Sequence, residues 1–546
     1  MNPIPLIDTA PPPPLPPQWQ QWAPDYSGAA DSPNTTPTPS EAAHSVPGQD
    51  RDFLEFAPTP RADIPNIWEF PNNDDGRAAY LLAHFGEILR YVPELGQWRI
   101  WHGQRWHPDT TGRAGHYCQL LSRHQLEAAT CRMEELANEL SSQIKAETDP
   151  VGGSKAGRKL KRADVEAEAR RNRACATALG NEKTISAMLA AASRVGHVIV
   201  PLVQWDANPW LVGTANGRLD LSDQTHAPGI PVDYMTRGLA VAYDPRATAP
   251  QWEAFIARIL PDDSLAHYVQ TIAGRSLTGS TDDQAFYFLY GTGKNGKSIF
   301  IETIAALFND YAGKARRNLI EEPRNGGDCK HDLAQLPGIR LLHGEETSSG
   351  GRLREDVVKS LTAGDTLTGE AKYHAPFSFH PCAKLWLMGN HKPRIEGTDT
   401  GIWRRVRMIP FTATISDEEE IPQAILMARF AAERPGILNW MLAGLAACPS
   451  GSIAMPPAVR DAVAEYRQSE DDLGDFISEC TQDATENYKE SKQDVFRAYQ
   501  RWAADNGISR PWTMKQFTRR LSNREGWRLD PRGKSWMEKS VISDAC

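Results

Sequence analysis

The stretch Gly291-Thr292-Gly293-Lys294-Asn295-Gly296-Lys297-Ser298 constrains the fold of this chain more than any other. It fits the pattern GxxxxGK[ST], in which a glycine-rich backbone closes around phosphate oxygens and the following helix adds the positive end of its dipole. Its neighbours supply the context that such a loop needs. Ala285 to Tyr290 is a short apolar and aromatic run with strand character. Ile299, Phe300, Thr303, Ile304, Leu307 and Phe308 recur at helical spacing, so a helix starts at or near Lys297. Strand, turn and helix in that order predict an α/β nucleotide-binding core. In it Lys297 reaches the β- and γ-phosphates and Ser298 ligates Mg²⁺.

A phosphate loop binds; hydrolysis needs further groups. A second strand, Ile339 to Gly344, ends in Glu345-Glu346. Two acids at that place divide the work: one holds Mg²⁺ and the other orients and polarises the attacking water. By order Glu345 takes the metal and Glu346 the water, with the reverse assignment open. A third strand, Lys384 to Gly389, delivers Asn390, an amide able to contact both the γ-phosphate and the lytic water. Gly401 to Phe411 carries Arg404, Arg405 and Arg407; Arg404 is the first choice and Arg405 the second for a charge offered to a neighbouring subunit's nucleotide. Between the second and third strands, Leu361 to Phe379 reads as an inserted hairpin, with Lys372 and His374 at its tip placed to grip a phosphate backbone.

The 546 residues suffice for two to four domains, and 40% hydrophobic with 24% charged residues is a globular composition. No run of about 18 apolar residues and no basic-then-apolar N-terminus occurs, which predicts neither a membrane span nor a secretory signal. The eight cysteines are scattered without a CxxC pair, against a zinc site or disulfide framework and in favour of a reducing cytosol. Fifteen of the 40 prolines fall in the first 60 residues, so 1–62 is expected to be a disordered tail, or a polyproline ligand.

Residues 63–250 read as a mixed α+β accessory domain. Trp98, Trp101 and Trp106 lie in a small antiparallel meander, as its core rather than as a stacking platform for nucleic acid. The basic stretch from Lys155 to Arg173 is read as a solvated helix face in preference to a DNA contact. Asn216-Gly217 marks a hairpin turn. Residues 251–456 form the nucleotide-binding core.

Residues 457–546 form the last domain, with a further shift in composition at about Asp471. Ser491 caps a helix bearing Val495, Phe496, Tyr499 and Trp502 on one face. A second helix starts at Thr513, with Met514, Phe517 and Leu521 inward and Lys515, Arg519 and Arg520 outward. Trp527 to Trp536 follows as a hairpin carrying Arg532 and Lys534. Helix, helix and hairpin fit a winged helix. From 491 onward 12 basic residues face 6 acidic ones, +6 inside a chain of −9, which points this module at DNA.

With these motifs in hand, the stretch from Asp74 to Phe411 resembles the phage and plasmid primase-helicase family, related to the poxvirus primase-helicase. The carrying segments are Gly291–Ser298, Gly338–Thr347, Leu361–Thr368, Lys384–Arg394 and Gly397–Arg407, together with Leu89-Arg-Tyr-Val-Pro and Asn216–Leu221 upstream. The resemblance implies an AAA+ ATPase of helicase superfamily 3, a homohexameric ring using ATP and Mg²⁺ to move 3′ to 5′ on single-stranded DNA and unwind duplex DNA. It implies that Lys372 and His374 sit on the hairpin that tracks DNA. Family members commonly carry Ser-Glu-Thr where this chain has Glu345-Glu346-Thr347, so Glu346 matches best. No paired-aspartate metal motif accompanies the N-terminal tail, and primer synthesis is left to a separate primase, alongside host replication proteins in the bacterial cytoplasm. The alternatives are an ATPase that remodels nucleoprotein, and an origin-binding initiator whose nucleotide site controls ring assembly.

Overall fold

A computed structural model describes residues 58–148, 161–322, 329–345, 351–370, 372, 376–395, 400–506 and 511–542. Glu346, His374 and most of the proline-rich tail lie outside them. The chain enters through α1 (Asp74–Phe85), whose Asn73 cap accepts a bond from the Gly76 N–H at 2.7 Å. An antiparallel sheet follows, with β1 (Leu89–Val92), β2 (Gln97–Trp101) and β3 (Trp106–Pro108) adjacent in that order. Strand alternation turns Leu89 and Ile100 toward one apolar cluster and Val92, Trp101 and Trp106 toward another, centred with Trp205. Trp101 and Trp106 are buried, as core residues should be. Helices α2 (Arg113–Thr148), α3 (Arg162–Ala178) and α4 (Glu182–Ala192) complete this part. On α3, Arg162, Arg170, Arg171 and Arg173 are exposed, and Arg162 pairs with Glu166 at 3.1 Å.

The expected turn at Asn216 joins β4 (Leu211–Thr214) to β5 (Gly217–Asp220), with β6 (His226–Ala227) beside β5. This small sheet does not stand apart. Val212, Leu219, Leu221, Leu239 and Val241 share one apolar cluster with α5 (Pro250–Ile259) and α6 (Asp263–Ser276), so the hydrophobic core runs continuously across residue 250. Arg340, 2% exposed, fastens the junction by donating to the carbonyls of Leu277 (2.6 Å) and Leu211 (2.7 Å) while its guanidinium lies 4.8 Å from the Tyr311 ring centre. The Tyr311 hydroxyl in turn accepts from the Gly213 N–H at 3.1 Å.

The centre is a five-stranded sheet of β7 (Phe286–Tyr290), β8 (Ala312–Lys314), β9 (Leu341–Gly344), β12 (Lys384–Gly389) and β13 (Val406–Pro410). Every pairing is parallel, in the spatial order β13-β7-β12-β9-β8. The run Phe286-Tyr-Phe-Leu-Tyr290 is apolar throughout because both faces are covered. Tyr287 and Leu289 meet α5, α6, α7 (Lys297–Phe308) and α9 (Arg434–Ala447) on one side. Phe286 and Phe288 meet α8 (Glu355–Ala363) and α10 (Pro457–Ser469) on the other. A two-stranded hairpin, β10 (Leu367–Gly369) with β11 (Phe377–Phe379), is inserted between α8 and β12, as the sequence predicts.

The last module runs α11 (Asp472–Cys480), β14 (Thr481–Asp483), β15 (Lys489–Ser491), α12 (Lys492–Asp505), α13 (Met514–Ser522), β16 (Arg528–Leu529), β17 (Ser535–Met537) and β18 (Lys539–Val541). Val495, Tyr499, Trp502, Phe517, Leu521, Trp527 and Trp536 form its core. Cys480 is disulfide-bonded, a departure from the expected all-thiol chain.

Helices α6 and α9 cross at glycines. A Cβ on Gly274 would lie 2.2 Å from the Met441 carbonyl oxygen, and one on Gly444 would lie 2.3 Å from the Gln270 oxygen. Both contacts are with backbone, which cannot turn aside. Gly274→Ala should therefore cost ~1–3 kcal/mol in denaturant unfolding, while Gly196→Ala, with open space around it, should cost less than ~0.5 kcal/mol. Equal stabilities would disprove the close crossing.

Candidate functional site

The loop from Gly291 to Ser298 leaves the C-terminal end of β7, an inner strand of the sheet, and runs into α7. Its glycines are used for distinct reasons. Gly293 (φ +85°) and Gly296 (φ +82°) occupy left-handed conformations, and a Cβ on Gly291 would strike the Phe411 carbonyl oxygen at 2.3 Å. Thr292, Gly293 and Lys294 are exposed, while Asn295 and Lys297 are buried. No side chain caps α7 at Gly296, so the helix presents its first-turn N–H groups to the loop. Ser298 is exposed on that first turn.

The loop is braced from behind. The Phe411 N–H bonds the Tyr290 carbonyl at 2.8 Å, Asn295 Nδ2 donates to the Phe411 carbonyl at 3.3 Å, and the Ile415 N–H bonds the Lys294 carbonyl at 2.8 Å. Lys297 Nζ donates to the Gly291 carbonyl at 2.6 Å and to Asn295 Oδ1 at 2.9 Å. Lys294 pairs with Asp417 at 2.9 Å and Glu420 at 2.5 Å. Those bonds raise the Lys294 pKa and lower that of Asp417. The brace after β13 escaped the sequence reading because nothing in Phe411 to Glu420 marks a contact with the loop.

Parallel register sets the height of the neighbouring groups. Gly389 of β12 pairs with Tyr290 of β7, so Asn390 and Gly291 leave adjacent strands at the same level. Asn390 is exposed there. Glu345 leaves β9, one strand further out, and its carboxylate accepts from Lys314 Nζ of the edge strand β8 at 2.7 Å. It thus faces the sheet edge, beside a cavity of about 560 Å³ lined by Lys314, Arg316, Arg317, Glu321 and Gln335. The hydrogen bond and ion pair described for Glu345 are with Lys314. Its partner Lys314 ends a strand of three residues, too short to be read from a periodic pattern.

The two arginine candidates separate cleanly. Arg404 is exposed, with one bond to Gln284 Oε1 at 3.3 Å. Arg405 is 7% exposed and donates to Thr362 Oγ1 (3.1 Å) and the Gly401 carbonyl (2.6 Å), which makes it a brace between α8 and the start of β13. As second choice for a charge offered to another subunit it does not fit. Lys372 is exposed on the β10–β11 connection. In the last module Lys515 and Arg519 are exposed on α13, and Arg532 and Lys534 on the β16–β17 turn. Arg520 is half-buried instead, its guanidinium 4.5 Å from the Trp512 ring centre.

Two family models match the chain: "D5 N terminal like" over residues 78–261, and a family of unknown function over 289–405. "Putative helicase L207/L206" of Acanthamoeba polyphaga mimivirus is 27% identical over 323 residues, 55% of this chain and 34% of that protein. "Putative helicase 184R" of Invertebrate iridescent virus 6 is 29% identical over 223 residues, 39% of this chain and 23% of that protein. The chain thus spans about a third or less of these curated relatives. Among solved structures, the apo C-terminal region of NrS-1 (305–718) aligns with a TM-score of 0.39 at 8% identity, covering 83% of this chain and 96% of that one. The family models and the viral relatives support a likeness to the phage and viral primase–helicase family.

Proposed function

We propose that the chain is an ATP- and Mg²⁺-dependent replicative DNA helicase of superfamily 3, acting as an AAA+ homohexamer on single-stranded DNA with its last module as a winged-helix DNA contact. The observation that carries the reading is the common level at which Gly291 and Asn390 leave adjacent parallel strands β7 and β12. A γ-phosphate seated on the loop then lies within reach of an amide able to hold water.

The residues present fit a triphosphate and its metal. The uncapped N-terminus of α7 and the left-handed glycines offer backbone N–H groups, and Ser298 is open on the first turn for a Mg²⁺ ligand. When bound, ATP supplies the phosphoryl transfer that drives movement. Lys297, which donates to the Gly291 carbonyl and Asn295 Oδ1, would turn to phosphate oxygens, where donor and acceptor are both charged. Glu346 is assigned to the attacking water. Glu345, which accepts from Lys314, is assigned to the metal. Arg404, exposed, serves the neighbour's site, and Lys372 with His374 contacts DNA in the pore.

The deciding measurement is strand displacement on a 3′-tailed fork. ATP-dependent displacement is expected, with turnover reduced roughly 10²-fold or more in Lys297→Ala; hydrolysis without displacement refutes a helicase and favours the nucleoprotein-remodelling ATPase. An initiator whose site only controls assembly would instead keep its DNA-bound function in Lys297→Ala.

Arg404→Ala should lower turnover roughly 10³-fold with nucleotide affinity nearly unchanged. Mixing it with Lys297→Ala subunits should recover activity, because each mixed interface can pair an intact loop with an intact arginine. No recovery at any ratio contradicts sharing between subunits.

Removal of 471–546 should weaken duplex binding. With Lys515, Arg519, Arg532 and Lys534 as phosphate contacts, the log–log salt slope should flatten by about 3 to 4. An unchanged slope rules out this module as the DNA contact.

A further inference from the structure

The sheet of β1, β2 and β3 holds two cations that form no ion pair among the described residues. Arg90 on β1 and Arg99 on β2 are register partners in the antiparallel pair, so they stand opposite one another on one face. Like charges so placed destabilise a sheet. Neither guanidinium forms an ion pair with any described residue, whereas Arg105 nearby pairs with Asp310 at 2.9 Å. The Arg99 guanidinium makes no hydrogen bond to any described residue, and the Nε atoms of Arg90 and Arg99 are both buried without a partner. Arg90 spends one nitrogen on backbone carbonyls of Gly86 and Leu89.

The surroundings add to the positive charge. Arg237 is near enough to disfavour the charged form of Arg99, and its own Nε is also buried and unpartnered. The nearby carboxylate, Asp206, is committed to the Thr236 N–H at 2.8 Å and the Thr236 hydroxyl at 2.5 Å. Burial pulls the Arg99 pKa down to about 10, with Asp206 offsetting part of that shift and Arg237 adding to it. His197, beside Arg90, is held toward its neutral form by burial and offers no negative charge.

Two indoles fix these cations in place. The Arg90 guanidinium lies 5.2 Å from the Trp106 ring centre and that of Arg99 lies 4.5 Å from Trp205. Trp106 and Trp205 themselves meet edge to face at 5.7 Å. Cation–π contact of this kind returns part of the desolvation cost but leaves unused the in-plane N–H donors of Arg99 and those of Arg90 other than Nη1. Planar donors held rigidly on aromatic rings suit the oxygen pairs of a phosphate.

We propose that Arg90 and Arg99 form a phosphate-recognition site on the accessory sheet that takes the phosphodiester backbone of single-stranded DNA. It lies on different elements from the phosphate loop and the last module, and it does not depend on the activity proposed above. The same chemistry would accept free phosphate, so the test separates the two sources.

The full chain is titrated with a fluorescein-labelled oligo(dT) of about 20 nucleotides, longer than one such site, without ATP and across a range of salt. Arg90→Gln/Arg99→Gln should bind roughly tenfold or more weakly, and its log–log salt slope should be shallower by about 1.4, two single-strand phosphate contacts. ATP turnover without DNA should stay at the wild-type rate. Unchanged affinity and slope, or weaker binding with an unchanged slope, overturns the site. Inorganic phosphate that raises the wild-type melting temperature but not the variant's, with oligo(dT) binding equal in both, overturns the strand assignment in favour of a free anion. Should the double variant fail to fold, Arg99→Lys decides: weaker binding with the slope kept supports a guanidinium fork on phosphate, and wild-type affinity refutes it.

Discussion

Burial of β7 on both faces is the constraint on which the rest of the structure depends. A strand that is apolar on both sides needs a layer on each, and this chain supplies α5, α6, α7 and α9 on one side with α8 and α10 on the other. Backbone pairing adds a second requirement: β7 is bonded by β12 and β13, so it is an inner strand and its C-terminal end is enclosed. The phosphate loop sits on that end. Its geometry is held by hydrogen bonds to the segment after β13, so the chain that completes the sheet also stiffens the loop. Packing and prospective chemistry therefore share one set of residues.

Much of this was legible in the sequence where a short-range pattern had a single physical solution. The apolar run before Gly291 and the 3.6-residue spacing after Lys297 admit little but strand, loop and helix. Asn216-Gly217 produced its hairpin, and Thr513 caps its helix through Gln516, a box that local residues complete on their own. Trp101 and Trp106 proved to be core, because strand alternation turns them with Val92 against Val200 and Trp205.

What stayed hidden was set by distant partners. The turning of Glu345 toward Lys314, the engagement of Arg405 with Thr362 and the stacking of Arg520 on Trp512 each join residues through tertiary contact. Adjacent arginines at 404 and 405 look equivalent as letters, yet the turn that leads into β13 sends one to the surface and the other inward. Likewise Arg90 and Arg99 are nine positions apart in sequence and become opposite only once the β1–β2 register is fixed.

The clamp made by Arg340 and Tyr311 has a mechanical reading. Tyr311 follows directly on the stretch that ends α7, the helix that begins at the phosphate loop, and its hydroxyl holds the backbone of β4. A continuous path of covalent chain and hydrogen bonding thus runs from the phosphate loop through α7 and Tyr311 to the sheet of β4, β5 and β6. The folding unit is then larger than the sequence module: a fragment beginning at residue 250 would leave Val212, Leu219 and Leu239 behind and open their side of the core to water.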